Sequence, residues 1–286
     1  MIGTTTAKAS SSTAGPFYAK RPLHILFIHH SCGGQLLADV GPEVGSNCIY
    51  STHPNGGGLR TRLASLGVVV HEASYGSRIG QNTDIFDWLP KFRTQMDEIL
   101  KCDNQDTPYA GPQRNQIVLF KSCFPNNAFT RVGESPGNAS GPELTLWNAK
   151  ATYLALLAEF AKYPETQFVC LTAPPLANPA EAQPFWKRCI KNCLGYNRRF
   201  AESAAIAREF NTWMVSKDGW LKNAKSSNVK VFDYFSVLTG GDRSGFLKYP
   251  TGGGADSHSS REGNALAADE FAQFFVQTFP AGKTIH

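Results

Sequence analysis

The chain alternates short, almost continuous apolar runs with longer segments in which apolar residues recur every three or four positions. Continuous apolar runs are typical of parallel strands buried on both faces, and we predict five of them, at 23–28, 68–73, 116–121, 167–172 and 229–233. The periodic segments predict helices at 58–66, 84–100, 143–162, 197–216 and 262–278. Strands that alternate with helices predict an α/β fold with a doubly wound parallel sheet.

Long loops rich in polar residues, glycine or proline separate several of these elements, at 33–57, 102–115, 125–142, 173–184 and 239–255. Four of the five follow the carboxyl end of a predicted strand. Ligands of open α/β sheets bind at that edge, and loops of this length are usually functional. We therefore expect the functional site there.

The composition is that of an ordinary globular protein, with 42% apolar and 18% charged residues in 286. We predict a flexible tail at 1–20, rich in Ser, Thr and Ala, followed by a single domain at 21–286. The net charge is +5, but the basic residues are scattered, so we expect no nucleic-acid partner. No apolar run reaches the roughly 18 residues of a membrane span, and we predict none. Both secretion and a cytoplasmic location fit the sequence, and it leaves the oligomeric state open.

The first predicted strand ends in an unusual group of reactive side chains, Phe27-Ile-His-His-Ser-Cys-Gly-Gly34. Ser31 falls on the turn at the carboxyl edge, where a hydroxyl can face a substrate. A serine on a loop is by itself more often a turn or cap residue. As a nucleophile it needs a base and donors for an oxyanion.

A candidate base lies at the other end of the chain, in Gly-Gly-Gly-Ala-Asp-Ser-His before the last predicted helix. In extended backbone, residues two apart point to the same side, so Asp256 could orient the imidazole of His258. A helix N-cap at Ser259 or Ser260 would explain part of this loop but not the Asp and the His.

Candidate oxyanion donors follow two other strands. Gly80 could present its backbone amide, and either Asn126 or Asn127 could present a side-chain amide. Taken singly, turn asparagines more often have a structural role.

Together and in this order, the segments resemble the blocks of the SGNH (GDSL-like) hydrolase superfamily. The family's Gly-Asp-Ser block is replaced here by Phe27-Ile-His-His-Ser-Cys-Gly. The glycine block is resembled by Ile-Gly-Gln-Asn-Thr, and the asparagine block by Phe-Lys-Ser-Cys-Phe-Pro-Asn. The final block is resembled by Ala-Asp-Ser-His. The resemblance implies a flavodoxin-like three-layer α/β/α sandwich, here with a five-stranded parallel sheet.

The resemblance also assigns the residues of the site. Ser31 is the nucleophile, His258 the base, and Gly80 and Asn126 form the oxyanion hole. Asp256 stands one position later than the family's acid, which would fall on Ala255. The implied activity is that of an esterase, which cleaves a short acyl group from a carbohydrate or another small alcohol without a metal or cofactor.

Three alternatives stay open at this stage. Cys32 could be the nucleophile, since a thiolate beside imidazoles would be activated. His29 and His30 could be metal ligands together with His258, although hydrogen-bonded packing is the commoner role of such histidines. The same fold could also serve as an inactive carbohydrate- or partner-binding domain.

Overall fold

The computed structural model describes residues 22–178, 180, 183 and 196–280. The predicted tail at 1–20 lies outside the described residues. Among them, the central sheet has seven strands. From edge to edge these are β10 (Val229–Phe232), β9 (Gln167–Leu171), β8 (Ile117–Phe120), β1 (Leu23–Ile28), β5 (Val68–Ala73), β6 (Cys102–Asn104) and β7 (Thr107–Pro108).

The sheet is largely parallel, as predicted, but the predicted number of five strands was wrong. The two additional strands, β6 and β7, extend the edge beyond β5 and pair with each other in antiparallel fashion. They are three and two residues long and are mostly polar or exposed. Strands this short and polar produce no apolar run, which is why the sequence pattern did not reveal them.

The described helices enclose the sheet, and two of them were not predicted. Their bounds are α1 (Ser31–Leu37), α2 (Leu59–Ser65), α3 (Trp88–Lys101), α4 (Leu146–Phe160), α5 (Tyr196–Val215), α6 (Tyr234–Thr239) and α7 (Arg261–Thr278). The two that sequence reasoning missed are α1 and α6, seven and six residues long. Each is too short for a helical repeat of apolar residues to stand out.

Alternate residues of the five longer strands enter two separate hydrophobic cores. In β1, Leu26 and Ile28 face one core while Ile25 and Phe27 face the other, as the two-residue repeat of a strand requires. Residues of α3, α4 and α5 cover the first core, and residues of α1, α2, α6 and α7 cover the second. Each buried Phe contributes about 1.5–3 kcal/mol. The arrangement is compatible with a three-layer α/β/α sandwich.

Two small sheets lie in segments predicted to be loops. β2 (Asp39–Val40) and β3 (Val44–Ser46) flank β4 (Ile49–His53), and β11 (Pro250–Thr251) pairs in antiparallel fashion with β12 (Asp256–Ser259). Within the described part of the chain, no helix has both the length and the apolar character needed to cross a membrane.

The sheet register determines where the loops that follow β1, β5 and β8 meet. Ile28, the last residue of β1, lies opposite Ala73 of β5 and Phe120 of β8. The carboxyl ends of these three neighbouring strands are therefore level. The segments after 28, 73 and 120 start side by side at one edge of the sheet.

Candidate active site

Ser31 is the first residue of α1, immediately after the strand β1 and two connecting residues. The carbonyl of His30 accepts hydrogen bonds from the backbone N–H groups of Gly33 and Gly34. A Cβ atom at Gly33 would lie 2.4 Å from Cβ of His29, and one at Gly34 would lie 1.9 Å from the carbonyl oxygen of Cys48. The two glycines therefore allow the chain to turn closely enough to place Ser31 at the edge of the sheet.

His258 and Asp256 reach Ser31 from β12, at the far end of the chain. Nε2 of His258 lies 2.9 Å from Oγ of Ser31, and Nδ1 of His258 lies 2.7 Å from Oδ1 of Asp256. The two residues are two apart in a strand and so share one side. Ser260 caps α7, whose first residue follows directly, by accepting a hydrogen bond from the N–H of Gly263.

The environment of Asp256 keeps its carboxylate charged. Partial burial alone would raise its pKa, but hydrogen bonds from the backbone and ring of His258 and from the Thr251 hydroxyl outweigh burial and hold the pKa below its ordinary value. A carboxylate can only accept, so Nδ1 of His258 is the donor. Nε2 is then able to accept the hydroxyl proton of Ser31.

The edge of a Phe124 ring packs against the His258 imidazole, with 5.2 Å between the ring centroids and 80° between the planes. Phe124 begins a 3₁₀ turn, Phe124–Asn127, that follows β8. The contact limits rotation of the imidazole away from Ser31. It also leaves an aromatic side chain beside the serine hydroxyl.

Asn126 lies in the same turn and is 4% exposed. Its Oδ1 accepts a hydrogen bond from the N–H of Ile85, and its Nδ2 donates one to Oδ1 of Asp84. An amide nitrogen carries two hydrogens, and the second finds no acceptor among the described residues. Asn127 differs, because its Nδ2 donates to the carbonyls of both Ala173 and Pro174. Of the two asparagines, Asn126 keeps a hydrogen available for another acceptor.

Gly80 approaches the site with its carbonyl group. Its N–H donates to Oγ of Ser77, 2.8 Å away, and its carbonyl accepts from Nε2 of His30, 2.9 Å away. A Cβ atom at position 80 would lie 2.0 Å from the carbonyl oxygen of Ser74. Glycine is therefore needed for the close approach to Ser74, and the single amide hydrogen of Gly80 is engaged within the protein.

His30 is fixed by three neighbours. Nε2 donates to Gly80, Nδ1 accepts from the Thr83 hydroxyl at 3.1 Å, and the ring stacks on Tyr75 with centroids 3.7 Å apart. Burial lowers the pKa of His30 to about 4, although the Gly80 hydrogen bond acts in the opposite direction. The imidazole is thus neutral at pH 7 and links the turn that carries Ser31 to the loop that carries Gly80.

His29 is fully buried between two acceptors. Nδ1 donates to the His30 carbonyl, and Nε2 lies 2.9 Å from Oε1 of Glu72. Arg60 bonds to the other carboxylate oxygen of Glu72. Burial alone would raise the pKa of Glu72, but His29 and Arg60 outweigh it and hold the pKa below its ordinary value. Sequence reasoning missed Glu72, whose signal was a lone carboxylate in an otherwise largely apolar strand.

Beside Ser31, on the side of β8, lies a second group that sequence reasoning missed. Sγ of Cys123 is 3.7 Å from Oγ of Ser31, 3.6 Å from Sγ of Cys32 and 3.8 Å from Nζ of Lys121. Cys32 thus faces Cys123. Its hydrogen bond to Cys123 and its burial raise the pKa of the Cys32 thiol well above the ordinary value, so it lacks the thiolate character expected of a nucleophile.

Within the described part of the chain, no three His, Cys, Asp or Glu side chains are grouped so that they could hold a metal ion. His29 and His30 use both ring nitrogens in hydrogen bonds to protein groups. The arrangement at the sheet edge instead joins a carboxylate, an imidazole and a hydroxyl in sequence, which is suited to activating the hydroxyl for attack on an electrophile.

Solved structures include distant likenesses of this chain. No protein-family model matches the chain, and no curated protein matches it. One crystal structure is 17% identical, with a TM-score of 0.43 over 90% of this chain and 97% of the other. A carbohydrate esterase family 2 enzyme with a carbohydrate-binding domain, from Corynascus thermopiles (Myceliophthora fergusii), is 13% identical, with a TM-score of 0.40 over 96% of this chain and 68% of the other. Likenesses of this strength identify neither a family nor a substrate.

Proposed function

We propose that this chain is a serine hydrolase of the SGNH type that cleaves an acyl ester. The observation that carries the proposal is the continuous series of contacts from Asp256 through His258 to Ser31, at 2.7 and 2.9 Å. These are the distances at which a base takes a proton from a nucleophile and is itself oriented by an acid. The order of the sequence blocks supports the same assignment.

In this proposal Ser31 Oγ attacks the ester carbonyl as its proton passes to Nε2 of His258. The imidazolium then protonates the departing alcohol, and Asp256 stabilises its charge through Nδ1. A water molecule, activated by the same imidazole, releases the acid from the acyl-enzyme. Each step uses the hydrogen bonds already present between the three side chains.

The oxyanion needs donors beside Ser31. The unused hydrogen on Nδ2 of Asn126 is our candidate, and one such donor contributes about 10²–10³ in rate. Gly80 can serve in the same way only if its N–H leaves Ser77, to which it donates at 2.8 Å. Asn126 is therefore the principal donor of the proposal and Gly80 an auxiliary one.

The substrate we propose is a short acyl group esterified to a carbohydrate or another small alcohol. Two aromatic side chains border the proposed site. Tyr75 is 43% exposed and stacks on His30 beside the nucleophile, while Phe124 flanks His258. Exposed aromatic surface of this kind can pack against a sugar ring or a short acyl chain.

A fluorophosphonate probe tests the assignment of the nucleophile. We expect stoichiometric labelling at Ser31 and loss of labelling in Ser31→Ala. The matched control is Ser65→Ala, which removes an exposed serine hydroxyl that, among the described residues, bonds to the Arg62 carbonyl alone. This control should label fully. A panel of acetylated sugars and p-nitrophenyl esters of increasing chain length then identifies the substrate class.

Other outcomes would decide for the alternatives. A folded wild-type chain that is not labelled at all would indicate a binding domain. Labelling that survives Ser31→Ala and disappears in Cys32→Ala would indicate a thiol nucleophile. Turnover that is lost when the protein is dialysed against a chelator, and restored by added metal, would indicate a metal-dependent hydrolase.

A further inference from the structure

The side of the site formed by β8 holds two cysteines whose sulfur atoms are in contact. Sγ of Cys32 and Sγ of Cys123 are 3.6 Å apart. The residues are 2% and 8% exposed, and both thiols are free. One cysteine follows Ser31 in the chain, and the other contacts the Ser31 hydroxyl at 3.7 Å. We refer to Cys32 and Cys123 as the thiol pair.

Lys121 gives the thiol pair an unusual electrostatic environment. Its side chain is fully buried, and Nζ lies 3.8 Å from Sγ of Cys123 and 3.4 Å from the carbonyl of Ser122. Among the described residues it forms no ion pair with a carboxylate. A buried ammonium group is costly unless an anion is near. The sulfur of Cys123 is the group placed to provide that anion.

The pKa directions agree with this geometry. The hydrogen bond with Cys32 and the charge of Lys121 hold the pKa of Cys123 well below its ordinary value despite burial. Cys32, by contrast, has a raised pKa. The contacts and these directions favour Cys123 as the member of the pair that loses its proton first and Cys32 as the member that keeps it, which is the combination that a two-step oxidation needs.

We propose that the thiol pair is an oxidative modification site, in which a hydroperoxide converts Cys32 and Cys123 into a reversible disulfide beside Ser31. The bond itself depends only on the two cysteines. Its effect on catalysis rests on the proposed function. Ser31 is partly exposed and its hydroxyl contacts Cys123. A peroxide molecule would therefore reach the thiol pair from the side on which Ser31 meets the solvent.

The chemistry balances with hydrogen peroxide as the oxidant. The Cys123 thiolate attacks one peroxide oxygen, the O–O bond breaks, and hydroxide leaves, so that Cys123 becomes a sulfenic acid. The Cys32 sulfur then attacks the Cys123 sulfur and expels the hydroxyl group, which leaves as water with the thiol proton. Overall, one thiolate, one thiol and one peroxide give one disulfide, one water molecule and one hydroxide ion, which takes up a proton from the solvent.

Closure of the disulfide moves atoms that contact the nucleophile. A disulfide bond is about 2 Å long, so sulfur atoms now 3.6 Å apart must approach each other. Cys123 then loses its present position against Ser31, or Cys32 draws the first turn of α1 with it. Because a displacement of about 1 Å at a reacting group can cost about 100-fold in rate, the oxidised protein should label at Ser31 about 100-fold more slowly.

Peptide mapping of the full-length protein tests the proposal. After treatment with hydrogen peroxide and alkylation of the remaining thiols, we expect one cross-linked peptide joining Cys32 to Cys123, which dithiothreitol separates. In Cys32→Ser the sulfenic acid of Cys123 should persist and react with dimedone. In Cys48→Ser, which removes a more exposed thiol that contacts Tyr50, the cross-link should form as in the wild type.

Any one of four other results would overturn the proposal. These results are alkylation of both cysteines after peroxide, a cross-link that joins Cys48 to either member of the pair, oxygen retained on Cys123 without a cross-link, or a bond from Cys123 to Lys121. Fluorophosphonate labelling is measured in parallel and separates the two hypotheses. A cross-link in a chain that never labels would refute the proposed hydrolase alone, and labelling without a cross-link would refute the modification site alone.

Discussion

Nε2 of His29 lies 2.9 Å from Oε1 of Glu72 near the carboxyl ends of β1 and β5, and both side chains are buried. His29 directly follows β1 and lies two residues before Ser31. The bond therefore joins this end of β1 to the neighbouring strand β5. Arg60, whose side chain is 32% exposed, binds the other oxygen of the same carboxylate. The turn that carries Ser31 is thereby tied to the sheet by a side-chain bond as well as by its backbone.

Removal of Glu72 should destabilise the fold strongly. Glu72→Ala leaves His29 without its acceptor and Arg60 without its counter-ion, and breaking a buried pair in this way costs about 3–5 kcal/mol in the free energy of unfolding. Denaturant unfolding of the two proteins measures the difference. Glu98→Ala is the matched control, because it removes an exposed partner of Arg78 and should cost about 0–1 kcal/mol. Equal losses in the two variants would contradict the structural role of Glu72.

The contribution of Glu72 should also depend on pH. Its pKa in the folded protein lies below the ordinary value of 4.5, so its stabilising charge is fully present above about pH 4.5 and is lost as the pH falls through the folded pKa. The difference in unfolding free energy between wild type and Glu72→Gln should therefore be constant from pH 7 to about pH 5 and should shrink on further acidification. A difference that grows in acid would mean that the carboxyl group is protonated in the native state.

Asp256→Asn should preserve the position of His258 and reduce turnover. The asparagine side chain can present an N–H to Nδ1, which favours the tautomer with the proton on Nε2, so that the imidazole can no longer accept from Ser31. For a triad of this kind the loss in kcat is about 10⁴-fold. Ester hydrolysis and the rate of fluorophosphonate labelling both measure it. Retention of wild-type rates would show that Asp256 is not the orienting acid.

Gly34→Ala should distort the nucleophile turn. The added Cβ would lie 1.9 Å from the Cys48 carbonyl oxygen, so the backbone must shift, and overpacking of this kind costs about 1–3 kcal/mol. We expect slower labelling at Ser31 together with a lower midpoint of denaturation. Gly111→Ala is the matched control, because among the described residues no atom beyond its own chain neighbours lies within 4 Å of its Cβ position, and the change should stay within about 0.5 kcal/mol. Identical behaviour of the two variants would refute the steric argument.

The sequence predicted the elements whose signal is local. The five long strands of the sheet are nearly continuous apolar runs whose residues are mostly buried, and α3, α4, α5 and α7 begin and end within a few residues of the predicted helices. β6 and β7 escaped because their pairing depends on the neighbouring strand and not on apolar side chains. The helix at α1 escaped because its seven residues include two glycines in its first turn.

From residue spacing alone, contacts within the site could be predicted only where both residues lie in one segment. The pair Asp256 and His258 follows from a two-residue spacing in extended backbone. The role of Glu72 depends on the pairing of β5 with β1, and the contact of Cys123 with Ser31 depends on the level ends of β1 and β8. Such contacts arise from sheet register, which a single sequence does not reveal. The bond from Asn126 to Asp84 is likewise tertiary, whereas the N–H of Gly80 bonds to Ser77 three residues earlier in the same loop.

Ser31 and His258 are 227 residues apart in the chain. The hydrogen bond between them joins the segment after β1 to the segment before α7, so all of the chain between the two residues must be synthesised before it can form. A nascent chain emerging from the ribosome would hold its serine unactivated until β12 emerges and docks. Reactivity at Ser31 would therefore report the completion of folding, and refolding could be timed by the moment at which the serine first becomes reactive.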